Sequence, residues 1–563
     1  MGREDSHYRP GGVDGRRSVG SDSGPAGATG RVSVPGANLT HRASPPTGAA
    51  HPDGRAAGNW PAPVPVSPPV PPAGTAPPPP PAPPRRRGRL VAALAGVLVL
   101  ALAVAGLAVL RPGPVAGWLG SGGTSSGATA APPEPDPPVV LAGPDGNAPL
   151  PTVAGLRAAL DPLVRAAALG DRVNVSVADV TTGQALYGRG ADAPTVPASV
   201  TKLATGVAVL AARGPAYRIP TRAVAGPNPG EVVLVGGGDP TLAVDRKNAF
   251  YPGAARLDDL AAQVRTALGG TAPTKVVVDA TLFSGPVFEP GWDADIPTGG
   301  FGAAITALMT DGARKDPAQA RRTAEETNHA AERVPQPDLT AGRQFAKLLG
   351  LTGNAAQVTR GTAPPAGGSG TAPGAELGSV ESLPMIRLVD IMISDSDNVI
   401  AEAMARQVAL AKGKPGSFVG GAAATDEVLG GLGLPAAEIS LADGSGLSRT
   451  NRISPSLLTD LITLAGNGSH PELAAIFGGL PVGGWSGTLD ERYQVAVTRA
   501  GAGVVRAKTG TLSGVNAIAG TVTTVDGRLL TFAVLTDRTQ GSLDETRQAL
   551  DRITSALAGC GCR

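Results

Sequence analysis

The sequence predicts an α+β protein of α/β type, with a folded body that follows a long N-terminal extension. Three features support this prediction: a helical pattern followed by a hairpin pattern at the start of the body, strand-like runs that alternate with amphipathic helices, and a long apolar run before the body. Hydrophobic residues make up 42% of the 563 residues and aromatic residues only 3%. The core is therefore expected to consist mainly of aliphatic side chains.

Residues 1–89 are predicted to form a disordered, proline-rich tail on the cytoplasmic side. Between Pro61 and Pro84, 14 of 24 residues are proline. Proline has no amide donor and favours the extended polyproline II conformation, so this segment cannot form a packed core. It is either a disordered spacer or a polyproline ligand for a cytoplasmic partner.

The run from Leu90 to Leu110 contains only Leu, Val, Ala and Gly, and it predicts one transmembrane helix. As a helix its 21 residues span about 31 Å, the thickness of the hydrocarbon core of a bilayer. Arginines cluster before it at 85–89, which places the N-terminus in the cytoplasm and the body outside the plasma membrane. A cleaved signal peptide and a buried core helix are the alternatives. Residues 111–150 are predicted to be a Gly-, Ser- and Pro-rich tether.

Charge and cysteine content exclude several classes of protein. The net charge is +2, the sum of about +6 on residues 1–89 (11 Arg and 5 acidic residues) and about −4 on the remainder. A strongly basic nucleic-acid-binding protein is therefore excluded as the default interpretation. Cys560 and Cys562 are too few for a zinc or iron–sulfur site. The two cysteines are either part of a dispensable tail, joined in a disulfide, or sites of lipid attachment. Neither a cofactor nor a metal is expected.

The clearest local signals of the body lie at its C-terminal end. There Asp526-Gly527 marks a turn between two strand-like runs, and Ser542 with Glu545 forms a capping box that opens the last helix. The predicted elements are helices at 156–167, 203–210, 257–268, 338–349, 383–394, 399–410 and 543–557, and strands at 173–177, 185–187, 231–235, 275–278, 504–507, 515–525 and 528–535.

The first candidate catalytic motif is Ser199-Val200-Thr201-Lys202, which follows a loop and opens the apolar stretch 203–210. On a helix, Ser199 and Lys202 lie three residues apart on one face and can touch. A neutral, desolvated lysine can take the proton of the serine hydroxyl, and a helix N-terminus favours developing negative charge. These residue types at this spacing therefore predict a serine nucleophile with a lysine base.

Two further motifs follow along the chain. Ser396-Asp397-Asn398 lies between two helical patterns, where an ordinary polar turn between helices has the same residue types. Lys508-Thr509-Gly510 ends a short strand-like run and precedes Thr511. Its glycine would let a substrate backbone approach, and its lysine and threonine can donate to an anion.

In this order the three motifs are the set found in penicillin-binding proteins and serine β-lactamases. Together with stretches at 236–240, 276–279, 305–309 and 443–449, they make the sequence resemble the D-alanyl-D-alanine carboxypeptidase/D-alanyl-D-alanine endopeptidase family, the low-molecular-mass class C penicillin-binding proteins. The resemblance covers about 150–560 and implies the serine β-lactamase/D,D-peptidase fold. It also implies an insertion, since 193 residues separate Lys202 from Ser396. The catalytic domain is expected at 151–216 and 381–563, with one or two inserted domains at 217–380.

The resemblance implies a role for each motif residue. Ser199 would be the acylated nucleophile, Lys202 its general base, and Ser396 the relay of a proton toward the leaving group. Backbone N–H groups of Ser199 and Thr511 would form the oxyanion hole. Lys508 would shape the electrostatic potential of the site. The substrate would be bound by Asn398, Thr509, Gly510 and Thr511, and Thr511 would bind its terminal carboxylate.

The predicted function is that of a serine-type D-alanyl-D-alanine carboxypeptidase/endopeptidase, which hydrolyses peptidoglycan stem peptides through an acyl-enzyme and is inhibited by β-lactams. A serine β-lactamase or esterase of the same fold, and a non-catalytic cell-wall-binding or sensory protein, are the alternatives. A Ser-His-Asp triad would have to use His329 or His470, and neither lies in a recognisable catalytic context.

Overall fold

The structure, a computed structural model, describes residues 147–327 and 329–561. In chain order, its helices are α1 (Val153–Leu160), α2 (Thr201–Arg213), α3 (Leu257–Ala267), α4 (Asp295–Thr298), α5 (Pro317–Arg322), α6 (Pro337–Leu348), α7 (Met385–Ser394), α8 (Asn398–Ala411), α9 (Phe418–Gly431), α10 (Pro455–Gly466) and α11 (Leu543–Ala558). Its strands are β1 (Val173–Asp179), β2 (Ala185–Arg189), β3 (Pro220–Ala225), β4 (Glu231–Val235), β5 (Lys275–Asp279), β6 (Thr359–Arg360), β7 (Glu376–Glu381), β8 (Ile439–Ser440), β9 (Arg452–Ile453), β10 (Val505–Leu512), β11 (Val515–Thr523) and β12 (Leu529–Thr536).

The first sheet is antiparallel, has the strand order β10-β11-β12-β1-β2, and joins the two ends of the body. Val173 of β1 faces Thr536 of β12, so the N-terminal hairpin extends a sheet made mostly by C-terminal strands. Because side chains alternate between the two faces of a strand, the sheet contributes to two cores. On one face, Ala519 and Leu535 pack with apolar residues of α2, α7, α8, α9 and α10. On the other, Phe532 packs with residues of α1 and α11.

The second sheet has the strand order β6-β5-β4-β3-β7, and all of its strands lie between α2 and α7 in the chain. Strands β4, β5 and β6 are parallel, whereas β3 is antiparallel to both of its neighbours. Helix α3 provides the crossover from β4 to β5 that a parallel pair requires. Leu260 of α3 and Phe345 of α6 are buried with Leu234 and Val278 in a core that this segment forms by itself.

Two predicted elements differ from the structure by five residues or more at one end. The first helix ends at Leu160 instead of continuing to 167, because Pro162 has no N–H to donate to the preceding turn. The strand predicted at 504–507 continues to Leu512, so Lys508-Thr509-Gly510 lies inside β10 and not after it. The cause is pairing with β11, where Lys508 faces Ala519 and Gly510 faces Ala517.

Several predictions concern residues outside the described part of the chain. The tail 1–89, the apolar run Leu90–Leu110, residues 111–146 of the tether and Cys562 all lie there. Within 147–327 and 329–561, no helix is both long and apolar enough to cross a membrane. Cys560 is disulfide-bonded, and its side chain is buried in the core beside α11.

A buried ion pair joins the residue before β12 to the end of β1. Arg528 donates from Nε and Nη2 to the two carboxylate oxygens of Asp179, at 2.6 and 2.8 Å. Burial raises the pKa of Asp179, but hydrogen bonds from Arg528 and Thr182 outweigh burial and hold this pKa below its ordinary value. The pair therefore stabilises the folded state above the pKa of an unfolded aspartate.

Arg528→Met is expected to lower the free energy of unfolding by about 3–5 kcal/mol at neutral pH, because it leaves a buried carboxylate without its partner. Urea unfolding measures this change, and Arg506→Met, at an exposed position of β10, serves as the control. Since the folded-state pKa of Asp179 is lowered, the contribution of the pair disappears as the pH falls through that value. The difference between wild type and variant should therefore shrink as the pH falls from neutral into strong acid. A difference that stays constant from neutral pH into acid would contradict the assignment.

Candidate active site

Ser199 lies at the start of α2, on a short 3-10 turn (Ala198–Val200) that continues into the helix. Its Oγ atom accepts a hydrogen bond from Lys202 Nζ at 2.9 Å. Ala198 has a φ of +47°, a left-handed conformation that alanine rarely adopts, and its carbonyl accepts from the Thr201 hydroxyl at 2.8 Å. The turn that presents Ser199 is therefore strained, and the first turn of α2 holds it in place.

Lys202 Nζ has three oxygen neighbours. Besides contacting Ser199, it donates to Asn398 Oδ1 at 2.6 Å and to the Ser445 carbonyl at 2.7 Å. The amide oxygen and the carbonyl can only accept, so they occupy two N–H groups of the lysine in either charge state. The lone pair of a neutral Lys202 is then left to face Ser199, whose hydroxyl becomes the donor. The geometry is therefore suited to proton transfer from Ser199 to Lys202.

The surroundings of both lysines favour the neutral amine. The side chain of Lys202 is fully buried, and burial lowers the pKa of Lys202 to about 8, although the carboxylates of Asp443, Glu402 and Asp397 act in the opposite direction. Burial also lowers the pKa of Lys508 well below its ordinary value, and the positive charge of Lys202 lowers it further. The positive charge of Lys202 therefore disfavours the charged form of Lys508.

The second motif lies in the turn between α7 and α8. Ser396 has a φ of +57°, and Asp397 is the N-cap of α8, where it accepts from two backbone amides of the first turn. Asn398 reaches Lys202 through Oδ1 and donates from Nδ2 to the Phe301 carbonyl at 3.0 Å. Ser396 is half-buried, and in the described residues no hydrogen bond joins its hydroxyl to Ser199 or Lys202. The motif is thus both a capped turn between helices and part of the site.

The third motif lies on β10, at the edge of the first sheet. Lys508 is buried and donates from Nζ to the Thr509 carbonyl at 2.8 Å, and the Thr509 hydroxyl donates to Thr488 Oγ1 at 2.8 Å. Thr511 is exposed, and its hydroxyl donates to Asn516 Oδ1 at 3.4 Å. At Gly510 the strand passes directly beside Ser199.

The passage at Gly510 is close enough to require glycine. A Cβ atom at this position would lie 2.7 Å from the Pro197 carbonyl oxygen and 2.9 Å from the Ser199 amide nitrogen. The amide of the candidate nucleophile therefore packs against the backbone of β10. The structure brings Ser199, Lys202, Asn398 and Gly510 into direct contact and places Lys508 beside them.

The loop 443–449 completes the surroundings of Lys202, although no motif predicted a role for it. Its Ser445 carbonyl binds Lys202, while the Ser445 amide donates to the Glu402 carboxylate at 2.8 Å. Gly446 has a φ of +87°, and a Cβ atom there would lie 1.9 Å from the Ala198 carbonyl oxygen. The stretch contributes to the family resemblance, yet its role depends on backbone atoms, which leave no signature in residue spacing.

The alternative triad is not formed in the part of the chain that the structure describes. Ser199 Oγ bonds with Lys202, whereas His470 Nδ1 pairs with Glu472 at 3.2 Å and His329 Nδ1 is buried without a hydrogen bond. Among residues 147–327 and 329–561, no group of three or more His, Cys, Asp and Glu side chains could hold a metal ion.

A serine beside a buried lysine at the start of a helix, next to the edge strand of an antiparallel sheet, defines an active-site serine enzyme of the penicillin-binding type. The sequence profile of the D-Ala-D-Ala carboxypeptidase 3 (S13) family matches residues 156–329 and 318–557. The chain therefore belongs to this family.

Relatives and a solved structure agree with this assignment. A carboxypeptidase of Mycobacterium tuberculosis is 40% identical over 450 residues, which cover 78% of this chain and 92% of that protein. Carboxypeptidase DacB of Mycolicibacterium smegmatis is 38% identical over 476 residues, which cover 83% and 96%. The fold is similar to that of penicillin binding protein 4 (dacB) from Haemophilus influenzae, with a TM-score of 0.55 and 22% identity over 72% of this chain and 98% of that one.

These comparisons confirm two predictions made from the sequence. The body has the mixed α/β fold, which is similar to that of penicillin binding protein 4. The chain is a serine-type D-Ala-D-Ala carboxypeptidase, as its family and its relatives over most of the chain establish.

Proposed function

We propose that this chain cleaves the terminal D-alanine from peptidoglycan stem peptides through an acyl-enzyme on Ser199, and that β-lactams inhibit it by acylating the same oxygen. The observation that supports this most directly is the placement of Lys202, which two carbonyl-type acceptors hold against the Ser199 hydroxyl. In that position a neutral lysine has its lone pair free for one proton only, that of Ser199.

The chemistry follows from this contact. As Ser199 Oγ attacks the carbonyl carbon of the penultimate D-alanine, its proton passes to Lys202 Nζ. The C–N bond then breaks, and the leaving amine takes a proton, for which Ser396 is the proposed relay. Water hydrolyses the ester and regenerates Ser199. A cross-linked peptide as the leaving group makes the same reaction an endopeptidase reaction.

The remaining motif residues are proposed to bind and orient the substrate. The close approach of β10 to the Ser199 amide supports an oxyanion hole between the backbone N–H groups of Ser199 and Thr511. Thr511, which is exposed, would bind the terminal carboxylate, with Thr509 and Gly510 lining the same edge strand. Asn398 would hold the peptide, and Lys508 would add positive potential.

The direct test is mass analysis of purified muropeptides after incubation with the full-length protein. We expect pentapeptide stems to lose one D-alanine and prior treatment with penicillin to prevent this loss. Acylation by penicillin without any change in the muropeptides would favour a binding protein. Fast turnover of penicillin itself would favour a β-lactamase.

Gly510→Ala is expected to lower the second-order rate of acylation by penicillin by about a hundredfold, since the added methyl group would push β10 away from the Ser199 amide. The rate is measured with a fluorescent penicillin. Gly430→Ala is the matched control, because a Cβ atom at Gly430 meets nothing within 4 Å. An unchanged rate in Gly510→Ala would show that the strand does not need this close approach.

We further propose that Leu90–Leu110 anchors the protein in the plasma membrane, with residues 1–89 in the cytoplasm and the body outside. The uninterrupted apolar run and the arginines before it support this topology. Protease added to spheroplasts should then digest the body and spare the tail, and a fully protected body would reject the proposal.

Residues 217–380 are proposed to be the inserted domain, which the separate core around β3–β7 supports.

A further inference from the structure

The middle residue of the second motif is held by side chains from the segment between β3 and β7. The Tyr251 hydroxyl donates to Asp397 Oδ2 at 2.7 Å, and Arg314 Nη2 donates to the same oxygen at 3.1 Å. Arg314 Nη1 also donates to the Tyr251 hydroxyl oxygen at 2.7 Å. The three side chains therefore form a closed triangle, in which those of Arg314 and Asp397 are only 1% and 3% exposed.

Arg314 is itself fixed in place. Its guanidinium lies over the Phe250 ring, 3.6 Å from the ring centre, and Nη1 donates to the Asp311 carbonyl at 3.1 Å. The adjacent Arg333 is anchored by the Gly312 carbonyl at 2.7 Å. The planar group therefore cannot turn away from Asp397 without losing several buried contacts.

Asp397 passes this restraint to the motif residues on either side of it. Its other oxygen, Oδ1, accepts from the amides of Val399 and Ile400 at 2.9 and 3.0 Å and so fixes the start of α8. Ser396, directly before it, adopts the left-handed conformation, and Asn398, directly after it, bonds with Lys202. A shift of the Asp397 carboxylate would therefore move both neighbours.

We propose, on the basis of the function proposed above, that Tyr251 and Arg314 are positioning residues for the second motif. Through Asp397 they hold the hydroxyl of Ser396 where it can reach the leaving group, and they keep Asn398 against Lys202. Through these two side chains, the segment between β3 and β7 positions the second motif and is not only a module attached to the catalytic domain.

The charges around Asp397 are consistent with this role. Asp397 faces Arg314, Arg333 and Tyr251. It also interacts electrostatically with Lys202 and Asp395. Burial raises the pKa of Asp397, but the two arginines and the Tyr251 hydrogen bond outweigh burial and lower it far below its usual range. The carboxylate is thus kept ionised by groups that come from the segment between β3 and β7.

The test compares two substrates with the same acyl group, a D-Ala-D-Ala peptide and the corresponding thioester. An amine must be protonated to leave, whereas a thiolate leaves without a proton, so only the peptide depends on the relay through Ser396. In the full-length protein, Arg314→Met should lower peptide turnover by about tenfold to a hundredfold and thioester turnover by a clearly smaller factor. Lys315→Met, which alters an exposed neighbour paired with Glu332, should change neither.

A change in the peptide-to-thioester ratio separates positioning from loss of folded protein, because misfolding lowers both rates equally. Tyr251→Phe removes one hydroxyl and leaves the Arg314–Asp397 pair, so it provides the test if Arg314→Met does not fold. A lower ratio in folded Arg314→Met, or in Tyr251→Phe where Arg314→Met does not fold, supports the proposal. An unchanged ratio in that deciding variant overturns it. A wild-type protein that turns over neither substrate would instead refute the proposed function, and with it the basis for this inference.

Discussion

Ser199→Ala is expected to abolish acylation by penicillin and to lower the release of D-alanine by on the order of 10⁴-fold or more. The variant lacks the hydroxyl oxygen that Lys202 contacts, and the other two oxygens bonded to Nζ, an amide oxygen and a carbonyl oxygen, are not nucleophiles. Intact-protein mass spectrometry measures the outcome. The wild type should gain one penicilloyl group and the variant none.

The control for this prediction is Ser469→Ala. Ser469 is an exposed serine that bonds with Asn467, so its loss should leave labelling unchanged. A Ser199→Ala protein that still carries the adduct would refute the assignment of the nucleophile, and digestion of the labelled protein would identify the serine that is used.

Lys202→Met is expected to reduce the acylation rate by about a hundredfold to ten-thousandfold, the usual range for loss of a general base. Methionine fills the buried position but cannot accept the Ser199 proton. The second-order rate with a fluorescent penicillin measures the effect. Lys347→Met, an exposed substitution on α6, should acylate like the wild type. Retention of the full rate in Lys202→Met would assign the base to another group.

The same contact predicts the pH dependence of the wild type. Because burial lowers the pKa of Lys202 to about 8, the neutral and active amine becomes the major form above that pH. The acylation rate should therefore rise roughly tenfold from pH 7 to pH 9. A rate that falls over this interval would contradict a neutral lysine as the base.

Side-chain motifs made much of the site predictable from sequence, whereas backbone contacts did not. The Ser199–Lys202 contact follows from three-residue spacing on a helix, and the order of the motifs associates both residues with Asn398. Nothing in the sequence indicates that the Ser445 carbonyl binds Lys202, because any residue type has a carbonyl group. The contact of Arg314 with Asp397 could not be predicted from the sequence either, because it joins residues far apart in the chain. The early end of α1, by contrast, was readable from Pro162.

The length of β10 shows why local patterns place strand ends poorly. Lys508, Thr509 and Gly510 have no apolar alternation, so the local pattern ends the strand at 507. Pairing with β11 along the whole of β10 overrides this signal. The consequence for function is that the third motif is presented by a rigid sheet edge and not by a loop.

The pairing of β1 with β12 also determines when the enzyme can become active during its synthesis. A growing chain carries β1 and β2 long before β10, β11 and β12 exist, so the hairpin has no partner for most of translation and its sheet closes late. Ser199 is made early as well, but β10 with Lys508 follows only near the end. A prematurely terminated product therefore lacks a complete hydrolytic centre. The order of the strands thus makes a complete active site depend on the C-terminal part of the chain.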